Sequence, residues 1–244
     1  MRINSRGSGS LTRATRWGAV VGAAAVAAAC GSSNNTTTSS PAGGGATVPS
    51  GLSVKSFDAS FSAMSQLTAL HGAGHGTVGV ILPDAATSAR YVEQDLPSLT
   101  KAFTTAGYSS SDFKIDNAQG NDASQLAAAQ ADIALGVSVL VFDPLDAIVG
   151  AQIQAAAQRA GIPTISYDRA TFQGTNTYYV SFDNVQVGKL IGTGFQSCLQ
   201  SWSVTSPKVF TLDGGEDKDP NAVSFAQGYN SVVWGDMTTP EPAG

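Results

Sequence analysis

The chain has 244 residues, with 13 lysines and arginines against 18 aspartates and glutamates and a formal net charge of −5 at pH 7. Hydrophobic residues make up 42% of it, enough to build an apolar core of domain size. The acidic balance and the absence of clustered Lys and Arg argue against a nucleic acid partner, whose phosphates require such clusters. Cys30 and Cys198 form no Cys-X-X-Cys pair, and His71 and His75 flank glycines in a loop-like stretch, so neither a metal nor a cofactor is expected.

Residues 1–29 carry Arg2, Arg6, Arg13 and Arg16, no acid, and an apolar run over residues 17–29. That run falls short of the roughly 20 apolar residues of a membrane-spanning helix. It reads instead as a secretory signal peptide. It ends in Ala27, Ala28, Ala29, Cys30 and Gly31, which resembles the lipobox of bacterial lipoproteins, with Ala27 where that motif usually has Leu. The resemblance implies cleavage before Cys30, lipidation of its thiol, and anchoring to the outer face of the cell membrane. Without residues 1–29, nine basic residues face 18 acids, which suits an extracytoplasmic protein. Residues 30–51 are mostly Ser, Thr, Asn, Gly and Pro, with almost nothing to bury, and read as a disordered tether.

Residues 52–75 form a lead-in with a short helix over 54–70. The pattern then becomes regular. Residues 77–82 (TVGVIL) read as a buried strand. Residues 88–106 read as a helix with Tyr91, Leu96, Leu99 and Phe103 on one stripe and Gly107 as its stop. A short strand follows at 113–115. The helix over 122–135 has Leu126, Ala129 and Ile133 three or four apart and closes at Gly136. The apolar run 137–142 is a strand. The helix over 146–160 turns Ile148, Ile153 and Ala156 inward and closes at Gly161. Strands at 164–167 and 178–182, a helix at 185–199, a strand at 209–212 and a helix at 221–233 complete the series. Strands buried on both faces and alternating with helices predict an α/β fold with a parallel sheet flanked by helices.

Ligands of such sheets bind outside the carboxyl ends of the strands. The loops at those ends hold Asp84, Arg90, Tyr91, Asp143, Asp168, Arg169, Asp183, Asn184, Asp213, Asp219 and Asn221. Asp84, Asp143 and Asp183 could gather around a metal or a water in an enzyme. These loops carry no histidine, no GxSxG elbow and no phosphate-cradling GxxxxGK motif, however. Acids, amides and arginines together suit a neutral polyol, whose hydroxyls both donate and accept, with an aromatic ring against its C–H face.

The stretch GVSVLVFDPLDAIVGAQIQAAAQRAGIPTISYDR, followed by YYVSFDNVQVGKLIG and GGEDKDPNAVSFAQGYNSV, resembles the periplasmic sugar-binding proteins of ABC transporters. The likeness is to the ribose- and xylose-binding class, nearest its xylose branch. It runs over about residues 76–234 and implies a type I periplasmic-binding-protein fold of two lobes around a cleft. Residues 76–181 would be the first lobe and residues 182–244 part of a second, as in a truncated product or a partial sequence. Arg90, Tyr91, Asp168, Arg169 and Asn221 match the positions that hold the sugar in that branch, with Tyr91 where Trp is usual. Asp183 and Asn184 fall at the crossover, as hinge or supporting residues. The resemblance implies capture of a monosaccharide, xylose or similar, by a monomer that delivers it to a membrane permease. Cys198, in a helix beside Phe195 and Leu199, is expected to be buried, paired in the complete protein with a later cysteine. A sugar-sensing receptor without transport and an exported α/β hydrolase are the alternatives.

Overall fold

The computed structural model describes residues 47–171, 174–215 and 218–235. The expected signal peptide and the lipidation of Cys30 lie outside the described residues. Two short 3₁₀ helices, Val54–Ser56 and Ser62–Leu67, lead into α1 (Thr68–His71). The regular part comprises β1 (Val78–Leu82), α2 (Leu96–Thr105), β2 (Phe113–Asn117), α3 (Asp122–Leu135) and β3 (Val139–Phe142). It continues with α4 (Ala147–Arg159), β4 (Thr164–Tyr167), β5 (Thr177–Val180), α5 (Asn184–Ser201) and α6 (Pro220–Val233).

The five strands form one parallel sheet in the order β2-β1-β3-β4-β5. Every residue of β1 is buried, as expected of a continuous apolar run with layers on both faces. Ile81, Leu140, Phe142, Ile153 and Ala129 form the core between the sheet and its helices. Helix ends are fixed by short polar side chains. Asn121 accepts from the Ser124 amide at 2.9 Å, and Asp146 accepts from the Ile148 amide at 2.6 Å. Gly136 ends α3 at φ 73°, a conformation that favours glycine. Beyond the sheet, α5 and α6 cross at backbone contact. A Cβ on Gly188 would come within 2.2 Å of the Phe225 carbonyl oxygen, and one on Gly228 within 2.2 Å of the Val185 carbonyl oxygen.

Four expectations need correction. The helix placed at 88–106 opens with a wide π-helical turn over Tyr91–Asp95, in which the Leu96 amide bonds the Tyr91 carbonyl. Pro97 has no amide to donate and crowds the carbonyl four residues back, so the turn before it widens. Residues 209–212 form no strand among the described residues, and Phe210 and Leu212 are almost fully exposed. An apolar run becomes a strand only where a neighbour takes its amides and carbonyls. Ile148 points outward, because the buried face of α4 is Gly150, Ile153, Gln154 and Ala157. Cys198 is exposed rather than packed beside Phe195 and Leu199.

Candidate ligand-binding site

The strand order reverses between β1 and β3, and the loops above that point and above β4 bring the polar side chains together. Asp84, directly after β1, shapes its own loop. Its carboxylate accepts from the amides of Ala85, Ala86 and Thr87 and from the Thr87 hydroxyl. These bonds, the Thr87 hydroxyl foremost, hold its pKa down at about 2. The loop leads to Arg90 at the mouth of the π-helical turn. The wide turn sets Asp95 beneath Arg90, where Arg90 Nε meets Asp95 Oδ2 at 2.8 Å.

After β4 the chain bends sharply. The Arg169 amide donates to the Tyr167 carbonyl at 2.9 Å, and Asp168 sits between them at φ +67°. Such a turn is sparsely populated for a residue with a Cβ and gathers at binding sites. It sends the two side chains to different partners. Asp168 Oδ2 accepts from Arg90 Nη1 at 2.6 Å, while Oδ1 and the main-chain oxygen each accept from Asn221 Nδ2 at 3.2 Å. Arg169 Nε donates to Asp219 Oδ2 at 3.0 Å and Nη1 to the Pro144 carbonyl at 3.2 Å. Asn221 is positioned by α6, whose N-cap Asp219 accepts from the Asn221 amide at 2.9 Å. Asn184, at the start of α5, donates to Asn221 Oδ1 and to the Tyr179 hydroxyl, each at 3.2 Å. The Tyr179 hydroxyl in turn donates to the Asp168 carbonyl at 2.9 Å.

The electrostatics follow from these contacts. Burial works against charge on Arg90, but Asp168 and then Asp95 outweigh it and raise its pKa. Tyr167 donates to Asp95 Oδ1 at 3.0 Å, and burial, then that carboxylate, pushes its phenol up to about 12. Tyr91 is buried, with the Arg90 guanidinium 5.0 Å from its ring centroid, and burial, then Asp143, raises its pKa. Asp143 is fully buried at the end of β3. Burial raises its pKa to about 7, with Arg169 as the largest opposing influence.

Arg90, Tyr91, Asp168, Arg169 and Asn221 thus lie in one connected cluster, and Asn184 belongs to it. Asp183 does not. It is exposed and caps α5 by accepting from the Gln186 amide at 2.9 Å. Asp84, Asp143 and Asp183 therefore have separate roles, and among the described residues no group of three His, Cys, Asp or Glu side chains could hold a metal. Sequence reasoning missed Asp95, and it placed Asp219 in a strand-end loop without pairing it to Arg169. The spacing of Arg90 and Asp95 becomes a contact only through the π-helical turn, for which Pro97 was the available signal. The cluster offers rigid donors, carboxylate acceptors and an amide that can do both, which is what a polyol needs. An apolar cavity of about 340 Å³ lies elsewhere, among α5, α6 and residues 209–214, lined by Phe195, Phe210, Phe225 and Trp234. Its apolar walls give hydroxyls little to bond, so the polar cluster is the better ligand site.

The sequence pattern of the periplasmic binding protein domain matches residues 78–242, two thirds of the chain. The chain belongs to that family. The multiple sugar-binding periplasmic receptor ChvE of Rhizobium radiobacter is 33% identical to this chain over 164 residues, covering 66% of this chain and 44% of the receptor. The D-xylose-binding periplasmic protein of Escherichia coli is 29% identical over 119 residues, covering 49% of this chain and 34% of that protein. A solved ABC transporter solute binding protein from Clostridium phytofermentans, with bound β-D-glucose, superposes with a TM-score of 0.56 at 28% identity, covering 65% of this chain and 48% of that one. The chain spans less than half the length of these three relatives. Its parallel sheet and flanking helices are those of the type I periplasmic binding fold.

Proposed function

We propose that this binding protein captures a monosaccharide, xylose or a similar small sugar, and passes it to the permease of an ABC importer without altering it chemically. In this reading residues 76–181 are the first ligand-binding lobe and residues 182–244 the start of the second. Arg90, Tyr91, Asp168, Arg169 and Asn221 hold the sugar, while Asn184 supports Asn221 and Asp183 marks the hinge. The protein works as a monomer on the outer face of the cell membrane, held by the lipid on Cys30.

One observation carries the reading. Two arginines, a strained aspartate and an amide from two different helix starts converge at the carboxyl edge of the sheet, where a ligand belongs. Their present pairing supports it as well, since Asp168–Asn221 and Arg169–Asp219 join the proposed lobes along the line on which a cleft would close. The named ligands of the family relatives, glucose among them, point to the same substrate class. Calorimetric titration of the full-length protein with a panel of pentoses and hexoses tests it. Saturable binding of at least one sugar is expected, and failure of every sugar to bind would remove the proposal.

A further inference from the structure

We propose that Asp143 is a proton-linked positioning residue that orients Tyr91 and Arg169 for the ligand. The inference rests on the sugar-binding reading for its ligand, but its geometry stands apart from it.

The Asp143 backbone is fixed on two sides. Its amide donates to the Ile81 carbonyl at 3.2 Å, and its carbonyl accepts from Gln125 Nε2 at 2.7 Å. Gln125 is itself buried and uses Oε1 to accept from the Leu145 amide at 3.0 Å, so the loop after β3 has no freedom to swing away. The side chain is fully buried, and neither carboxylate oxygen has a hydrogen bond of ordinary geometry. An unsatisfied buried carboxylate is costly and calls for an explanation. Its charged and titratable neighbours are Tyr91 from the π-helical turn, Arg90 beside it, and Asp168 and Arg169 from the turn after β4. All four belong to the cluster assigned above to the ligand.

The position has chemical consequences in both protonation states. As a neutral acid, Asp143 leaves the Arg169 guanidinium to Asp219, to the Pro144 carbonyl and to a ligand hydroxyl. As a carboxylate it draws Arg169 toward the sheet and takes the Tyr91 hydroxyl as a donor. A sugar hydroxyl competes poorly with a buried carboxylate for a guanidinium. Binding should therefore weaken as Asp143 loses its proton. Burial holds that proton to about pH 7, within the range an extracytoplasmic protein meets.

The test compares the full-length wild type with Asp143→Asn and Tyr91→Phe. Asn is the neutral isostere of the protonated acid. Thermal unfolding is first followed from pH 3.5 to pH 8.5. The folded state keeps the Asp143 proton to about pH 7, and the unfolded chain releases it near pH 4, so the folded state binds more protons between those values. The Asp143 contribution to stability is then complete below about pH 4 and lost as pH rises to about 7. Asp143→Asn should remove that slope. Tyr91→Phe deletes the hydroxyl that favours the carboxylate and should extend the slope to higher pH. Sugar titrations should show wild-type affinity falling about three- to tenfold from pH 6 to pH 8, and that of Asp143→Asn changing by less than about twofold. A merely structural role would shift unfolding of the variants equally at every pH and leave the slope intact, which overturns the proposal. Parallel affinity profiles for wild type and Asp143→Asn overturn it also. If Asp143→Asn does not fold, an unmoved slope in Tyr91→Phe overturns it. If no sugar binds the wild type, the proposed function falls, while the unfolding slopes still decide whether Asp143 holds a proton coupled to Tyr91.

Discussion

Replacing Arg169 by alanine cuts the tie between the turn after β4, the start of α6 and the loop after β3. Its guanidinium joins the turn after β4 to Asp219 at 3.0 Å and to the Pro144 carbonyl at 3.2 Å. The Arg169 and Asp219 side chains are only 24% and 21% exposed, so solvent screens the pair weakly. Hydrogen bonds to charged groups contribute about 1.5–3 kcal/mol, and a stability loss of that order is expected in Arg169→Ala. The effect on binding should be larger. Losing one partner of a buried charged contact costs about 2–5 kcal/mol, and the lower end alone weakens affinity about 30-fold. Arg169→Lys keeps the charge but not the planar fork, so it should recover only part of that loss. Arg169→Ala should also push the Asp143 pKa up further, since the Arg169 charge is the chief influence holding it down. Calorimetry with the best sugar, well below the unfolding temperature of each variant and with circular dichroism to confirm folding, measures the effect. A folded Arg169→Ala protein that binds sugar as tightly as the parent would show that Arg169 lies outside the site.

Gly188→Ala should separate α5 from α6, because the new Cβ would meet the Phe225 carbonyl rather than a side chain that can turn away. Overpacking costs about 1–3 kcal/mol, readable as a lowered unfolding midpoint, while Gly194→Ala, with open space around it, should change little. Asp84 has a folded pKa lowered to about 2, so its contribution is present above about pH 4 and lost as pH falls toward 2. Asp84→Ala should flatten that acid limb of the stability profile, and an unchanged limb would remove Asp84 from the account. Cys30→Ser should release the protein from membranes or block its processing, and mass spectrometry of the membrane fraction reads the outcome.

Much of the sheet was legible in the sequence because its signals are local. The apolar runs of β1 and β3 and the Gly136 stop identify elements whose faces are decided by burial alone. The strand at residues 164–167 coincides with β4 because Pro163 and the polar Asp168 bound it. Residues 209–212 had the same apolar signal and did not become a strand, since pairing depends on a neighbour far away in the chain. Ile148 and the true inner face of α4 differ by a small rotation that apolar spacing alone does not resolve in an alanine-rich helix.

The site divides in the same way. The strand-end rule brought Arg90, Asp168 and Arg169 to notice; Arg90 meets Asp168, while Arg169 turns to Asp219. The contacts among them depend on backbone features with no simple sequence mark. The left-handed Asp168 separates its side chain from that of Arg169. The π-helical turn adds Asp95 beneath Arg90. Asp143 was visible as an acid at a strand end, but its burial without a strong partner appears only when the loops are assembled.

The most direct test of the central claim is a crystal structure of the full-length protein with its best-binding sugar. The account predicts the sugar ring at the carboxyl edge of β1, β3 and β4, with its hydroxyls bonded to Arg90, Asp168, Arg169 and Asn221. A sugar bound in the apolar cavity between α5 and α6, with the Arg90–Asp168 and Arg169–Asp219 pairs undisturbed and untouched, would contradict it.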